Sequence, residues 1–176
     1  MKLLIVVDFQ KDFVDGSLGF AGASNLESVI EQKIRLYEQE GSEVIFTQDT
    51  HYENYLETEE GKHLPVIHCQ DKSPGHEIYG SIKKLSSGKK IFLKETFGSL
   101  ELANYLKSRT DAGVEYEAIE LCGLVSNICV LANALMAKSA CPNTPIYVDK
   151  NATASYDLAL HEACLSVMTG LQIRLI

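Results

Sequence analysis

No apolar run in this sequence approaches the roughly 20 residues of a membrane-spanning helix. Basic charge is also scarce. Lys and Arg number 16 against 24 Asp and Glu, a formal net charge of -8, and this excludes the basic face that nucleic acid or an anionic bilayer would recognise. Neither G-x-G-x-x-G nor G-x-x-x-x-G-K-[ST] occurs, so dinucleotide and P-loop phosphate cradles have no support. The G-x-S-x-G elbow of serine hydrolases is missing, and Phe9-Gln10 after Asp8 removes the D-x-D of phosphoaspartate hydrolases. No C-x-x-C pair is present. The five cysteines, Cys69, Cys122, Cys129, Cys141 and Cys164, are odd in number, and the apolar run from Met1 to Asp8 is too short for a secretory signal. Together these predict reduced thiols and a cytoplasmic protein rather than a disulfide framework. There is no Trp.

What is present fits one domain over residues 1–176, with 45% hydrophobic residues to build a core and 23% charged residues to cover it. Leu3 to Val7 reads as a strand buried on both faces, ending at Asp8. Ser24 or Asn25 can cap a helix to about Gln39, its period marked by Leu26, Val29, Ile30, Ile34 and Tyr37. A second buried strand, Val44 to Thr47, leads to Asp49. Thr50 to Gly75 reads as a long polar loop, a length that in a compact domain points to function. Further strands are predicted over 90–93 with Lys94 at the end, over 118–122, over 145–148 ending at Asp149, and over 171–176. Helices are predicted over 100–108, over 129–140 with Leu131, Leu135 and Met136 as its apolar stripe, and over 157–169 with Leu158, Cys164, Leu165 and Met168 facing inward. Alternating strands and helices specify an α/β fold, a three-layer α/β/α arrangement around a mostly parallel sheet.

In such sheets chemistry gathers at the carboxyl ends of strands. Asp8, Asp49, Lys94 and the segment Gly123-Leu124-Val125-Ser126-Asn127-Ile128-Cys129-Val130 all fall there. A lone cysteine is most often a small buried hydrophobe. With Ser126 as N-cap, however, Cys129 sits in the first turn of a helix, where the dipole and a cation such as Lys94 would lower the thiol pKa and make it a nucleophile. Free N–H groups at that turn could hold an oxyanion, and Asp8 could carry the proton. Asp49 and His51 can turn toward one divalent ion, with His68 from the returning loop completing the set and Glu57, Glu60 or His63 adding a ligand. His63 and His76 otherwise read as loop residues, and His161 as a surface or helix-packing residue.

Taken in order, Asp8-Phe9-Gln10-Lys11-Asp12-Phe13, Asp49-Thr50-His51, Pro65-Val66-Ile67-His68, Lys94 and the Gly123–Val130 segment resemble the isochorismatase-like cysteine hydrolase superfamily, and within it the nicotinamidases, over nearly the whole chain. The resemblance implies a catalytic triad of Asp8, Lys94 and Cys129. It implies metal ligands Asp49, His51 and His68, with Glu60 as the added ligand and Glu57 as second choice. The ion would be zinc, with manganese and iron as alternatives. It further implies a cis Leu124–Val125 peptide, oxyanion donors at the N–H groups of Val125 and Cys129, and Phe13 as an aromatic wall. Many nicotinamidases carry an aromatic residue just before the loop histidine; here Leu64 stands in. Isochorismatases proper lack the nucleophilic cysteine, so Cys129 points to amide hydrolysis. The expected reaction is nicotinamide plus water to nicotinate and ammonia through a thioester. Another small-amide, carbamoyl-type hydrolase is the alternative, and a non-catalytic binding module a remoter one. The expected partners are a small-molecule amide and further copies of the same chain, with no nucleic acid or membrane.

Overall fold

The computed structural model describes residues 1–176. The strands are β1 (Lys2–Val7), β2 (Glu43–Asp49), β3 (Lys90–Lys94), β4 (Ala118–Leu124), β5 (Ile146–Ala154) and β6 (Arg174–Leu175). They form one parallel six-stranded sheet in the order β3-β2-β1-β4-β5-β6. The helices are α1 (Lys11–Val14), α2 (Leu26–Gln39), α3 (Glu59–His63), α4 (Ile82–Leu85), α5 (Leu100–Asp111), α6 (Leu131–Ala140) and α7 (Leu158–Gly170). None is long and apolar enough to cross a membrane.

Side-chain alternation along β1 divides the core between the two faces of the sheet. Leu3, Ile5 and Val7 pack with Leu102 and Leu106 of α5, Ala134 and Ala137 of α6, and Met168 of α7. Leu4 and Val6 pack with Ile30 and Ile34 of α2. The sheet is therefore covered on both sides, which explains why β1 is apolar at successive positions.

Strand order reverses between β1 and β4, the place where open parallel sheets bind ligands. Register brings the chemistry to that crevice: Val7 pairs with Thr47 on one side and Gly123 on the other, and Asp49 pairs with Lys94. Asp8, the first residue beyond β1, has φ of 45°, as a non-glycine residue seldom does. Gly123 has φ of +111°, and a Cβ there would lie 2.0 Å from the Val7 carbonyl oxygen, so only glycine lets β1 and β4 meet.

Several expectations need correction. β5 runs through Asp149 to Ala154, with a register shift against β4 between Leu121 and Gly123. Asp149 is thus inside a strand, ion-paired to Lys33, and not at a carboxyl end. The final strand is only two residues long. The long loop contains a 3-10 turn, Tyr55–Glu57, and α3, whose N-cap Thr58 accepts a hydrogen bond from the Gly61 N–H at 3.0 Å. A 3-10 turn, Ala23–Asn25, leads into α2, and neither Ser24 nor Asn25 makes a capping hydrogen bond. On α6 the buried face is Asn133, Ala134, Ala137 and Ala140, while Leu135 is 36% exposed. Small residues make up the face of α6 that packs inward, while Leu131 is partly buried against the core. Leu158 on α7 is 72% exposed.

Candidate active site

Lys94, at the end of β3, is the hub. Its Nζ lies 2.6 Å from Asp8 Oδ2, 2.8 Å from Asp49 Oδ1 and 3.6 Å from Cys129 Sγ. All four side chains are buried. The Thr47 hydroxyl donates to Asp8 Oδ1 at 2.7 Å. Burial raises the Asp8 carboxyl above its ordinary value, opposed by Lys94 and reinforced by Asp49. Burial also works against charge on Asp49, but Lys94 and hydrogen bonds from His51 and His68 outweigh it and hold Asp49 well below the carboxylate range. Lys94 loses solvation too, yet Asp8, Cys129 and Asp49 keep its ammonium well above the usual value.

The Cys129 environment corrects an expectation. Burial pushes its thiol well above the ordinary value; Lys94 opposes this, but Asp8 and Asp49 add to it. One ammonium against two carboxylates does not favour a third negative charge, so without further cations Cys129 is a thiol. Nor does Ser126 cap a helix. Residues Ser126–Val130 form a single π-helical turn without a side-chain cap, a departure from α geometry often found at functional sites. The Leu124–Val125 peptide before it is cis. The Val125 N–H finds no acceptor within the chain. From α6, Asn133 donates to the carbonyls of Cys129 at 2.8 Å and Phe97 at 3.1 Å, and accepts from the Ser99 N–H at 3.0 Å. It thereby ties the segment after β3 to the Cys129 turn.

Beside this cluster, Asp49, His51, Glu60 and His68 converge, with ligand atoms all within 4.8 Å of one another. Asp49 Oδ2 is 2.9 Å from His51 Nε2 and 3.4 Å from His68 Nε2; Glu60 Oε1 is 3.6 and 3.8 Å from the same nitrogens. Ligands at 2.0–2.2 Å around a tetrahedral ion sit about 3.3–3.6 Å apart, so the donor set fits a divalent metal. His68 Nδ1 donates to the Val66 carbonyl at 2.8 Å, which leaves Nε2 free to coordinate. The Tyr55 ring packs at 4.4 Å from His51 and 5.1 Å from His68, and Phe13 at 5.6 Å from His68. Tyr55 also donates to the Leu64 carbonyl at 2.9 Å. Glu57 is not in the cluster, and His63 is exposed on α3. His76 pairs with Thr50 at 2.9 Å outside it.

A cavity of about 290 Å³ joins the two clusters. It is lined by Cys129 and Val125 and by Asp49, Glu60 and His68, with Phe13, Leu64 and Ile128 among its walls. It opens to a wider cleft of about 700 Å³ that shares Glu60, Leu64, Ile128, Phe97 and Tyr156. No Lys or Arg lines either space. Phe97, 49% exposed, and Tyr156, 61% exposed, were not anticipated. Both follow strand ends, β3 and β5, and that position was the available signal. They supply aromatic surface that the residue before His68 lacks. Gln10 serves the same site from the segment after β1. Its side chain accepts from the Asp49 N–H at 2.7 Å and donates to the Asp49 carbonyl at 2.9 Å, clamping that backbone from both sides.

Residues 2–175 match the family model described as Isochorismatase domain. No curated protein sequence matches the chain. Among solved structures, a pyrazinamidase of Pyrococcus horikoshii in complex with zinc is 25% identical, with a TM-score of 0.84 over 99% of this chain and 98% of that one. A pyrazinamidase/nicotinamidase from Streptococcus mutans UA159 is 25% identical, with TM-score 0.84 over 100% of both chains. An N-carbamoylsarcosine amidase from Thermoplasma acidophilum shares the fold at 23% identity, with TM-score 0.79 over 99% of this chain and 95% of that one.

Proposed function

The chain belongs to the isochorismatase family, and from that premise we propose that it is a metal-assisted cysteine amidohydrolase converting nicotinamide and water to nicotinate and ammonia. One observation carries this reading: a single small cavity is lined both by Cys129 and by Asp49, Glu60 and His68 of the four-residue donor set. A flat ring bound there could present a carboxamide to the sulfur and a ring nitrogen to the donors. The absence of Lys and Arg from the lining favours a neutral substrate. The likeness to the two pyrazinamidases and to a carbamoylsarcosine amidase supports small-amide hydrolysis in general.

Asp8 accepts the Cys129 proton, and the sulfur attacks the carboxamide carbon. The oxyanion accepts hydrogen bonds from the N–H groups of Val125 and Cys129, each worth about 2.7–4 kcal/mol in the barrier. As the tetrahedral adduct collapses, Asp8 returns the proton to the departing nitrogen, giving ammonia and a thioester. Asp8 then takes a proton from water; the hydroxide attacks the thioester, nicotinate leaves, and the Cys129 sulfur regains the proton. Lys94 opposes the burial that raises the Asp8 carboxyl and so favours its ionised form at the two points where it must act as a base. Phe13 and Leu64 bracket the ring. A divalent ion held by Asp49, His51, Glu60 and His68, with zinc first and manganese or iron as alternatives, would supply Lewis acidity toward the ring nitrogen.

Ammonia release from nicotinamide by zinc-loaded protein tests the proposal. We expect turnover that falls by ~1,000-fold or more in Cys129→Ala, as for other covalent nucleophiles. Release from carbamoyl compounds but not nicotinamide would transfer the reading to the carbamoyl-type alternative. No release from any small amide would leave a binding module.

A further inference from the structure

Ser126 opens the turn that carries Cys129, and one neighbouring helix engages both its hydroxyl and its carbonyl. The Ser126 hydroxyl lies 2.8 Å from His161 Nδ1. Its carbonyl accepts a hydrogen bond from the Cys164 thiol at 3.2 Å. His161 and Cys164 are three residues apart on α7 and so share one face. Ser126 is fully buried. A serine at the start of a helical turn ordinarily accepts from an N–H two or three residues ahead; here the hydroxyl is paired with His161 on α7 instead.

We propose that His161 and Cys164 are positioning residues for the nucleophile, fixing Ser126 so that the sulfur three residues later stays aligned with Lys94 and Asp8. The inference rests on the reading of Cys129 as the nucleophile. α7 is itself well anchored. Asp157 caps it, accepting from the Leu160 N–H at 2.9 Å, and Cys164, Leu165 and Met168 are buried against the sheet. Tyr156, the residue before that cap, belongs to the cavity wall. A shift of α7 would therefore move the wall and the sulfur together. Neither His161 nor Cys164 lines the cavity, so neither touches substrate. Positioning matters at this scale because a displacement near 1 Å can lower a rate by ~100-fold.

The test compares zinc-loaded wild type with Ser126→Ala, His161→Ala, His161→Asn and the Ser126→Ala/His161→Ala double variant. The two alanine variants should each lower kcat by ~10-fold with KM and melting temperature little changed. The double variant should be no worse than either single one, because both remove the same bond. His161→Asn, which keeps a hydrogen-bonding group, should recover part of the loss. Cys164→Ala should give a smaller fall of the same kind. Iodoacetamide alkylation of Cys129, followed by peptide mass mapping, should slow in the same order. That readout requires no substrate, so an inactive wild type would sink the amidase reading while the positioning test still proceeds. Unchanged kcat and alkylation in Ser126→Ala would overturn the proposal, as would losses that multiply in the double variant. If His161→Ala fails to fold, Ser126→Ala and His161→Asn decide the matter from the two ends of the bond.

Discussion

One buried ammonium serves two buried carboxylates and a thiol, so removing it has consequences beyond catalysis. Lys94→Met leaves Asp8 and Asp49 facing each other without a cation, and breaking a buried pair in this way costs about 3–5 kcal/mol. Urea denaturation should show that loss, and adding Asp8→Asn should recover much of it by deleting one of the stranded charges; a double variant as unstable as Lys94→Met would contradict this account. The same charge count governs Cys129. Burial and the two carboxylates hold the thiol up, so in metal-free protein the thiolate is scarce at neutral pH and alkylation should accelerate as pH rises past the ordinary thiol value of about 8.5. A divalent ion at Asp49, His51, Glu60 and His68 adds positive charge beside those carboxylates. Zinc loading should therefore speed Cys129 alkylation at pH 7, and chelation should reverse it; identical rates with and without metal would show that the two clusters are electrically independent.

Among the elements, the β1–β4 junction is the least forgiving. Gly123→Ala would place a Cβ 2.0 Å from the Val7 carbonyl oxygen at a φ of +111°, so the strands that hold Asp8 and the Cys129 turn must separate. We expect little soluble protein, or a denaturation midpoint lowered far more than by Gly113→Ala, where φ is also positive but no atom lies within 4 Å. The strands and the ends that carry Asp8, Asp49 and Lys94 were legible because continuous apolar runs bounded by charge leave few alternatives. The pairing of Asp49 with Lys94 was not legible, because it depends on the β2–β3 register. On α7 periodicity places Cys164, Leu165 and Met168 inward, as the structure has them, and only Leu158, which precedes the first buried turn, is exposed; on α6 it overstates Leu135, because close helix packing selected Ala134 and Ala137. The π-turn at Ser126 was not legible. Its hydroxyl is claimed by His161, 35 residues away in sequence, and no local signal encodes a partner so distant. Phe97 and Tyr156 were missed for a related reason, since single aromatics in polar loops show no period.

At the scale of the whole molecule, chemistry occupies the carboxyl edge of the sheet while a second buried charge cluster ties one helical layer to its centre. Lys33 of α2 bridges Glu120 on β4 at 2.7 Å and Asp149 on β5, and the Tyr37 hydroxyl donates to Glu120 at 2.7 Å. Burial alone would lower the Lys33 pKa, but Asp149 and Glu120 outweigh it and raise the value above the ordinary 10.5. A base whose folded value is raised stabilises the fold fully below its unfolded pKa and loses that contribution as pH climbs through the folded one. Lys33→Met removes the cation and strands two mostly buried carboxylates, at a cost of about 3–5 kcal/mol near neutral pH. The stability gap between wild type and Lys33→Met should hence be constant up to about pH 10 and narrow above it, as wild-type Lys33 loses its own proton. Denaturation midpoints from pH 7 to 11.5 measure the gap directly. Turnover per folded molecule should not change in the variant, because Lys33 lies outside the Cys129 cavity and the cleft above it. A gap that stays constant through pH 11.5 would mean that packing of the Lys33 stem, and not its charge, joins α2 to the sheet.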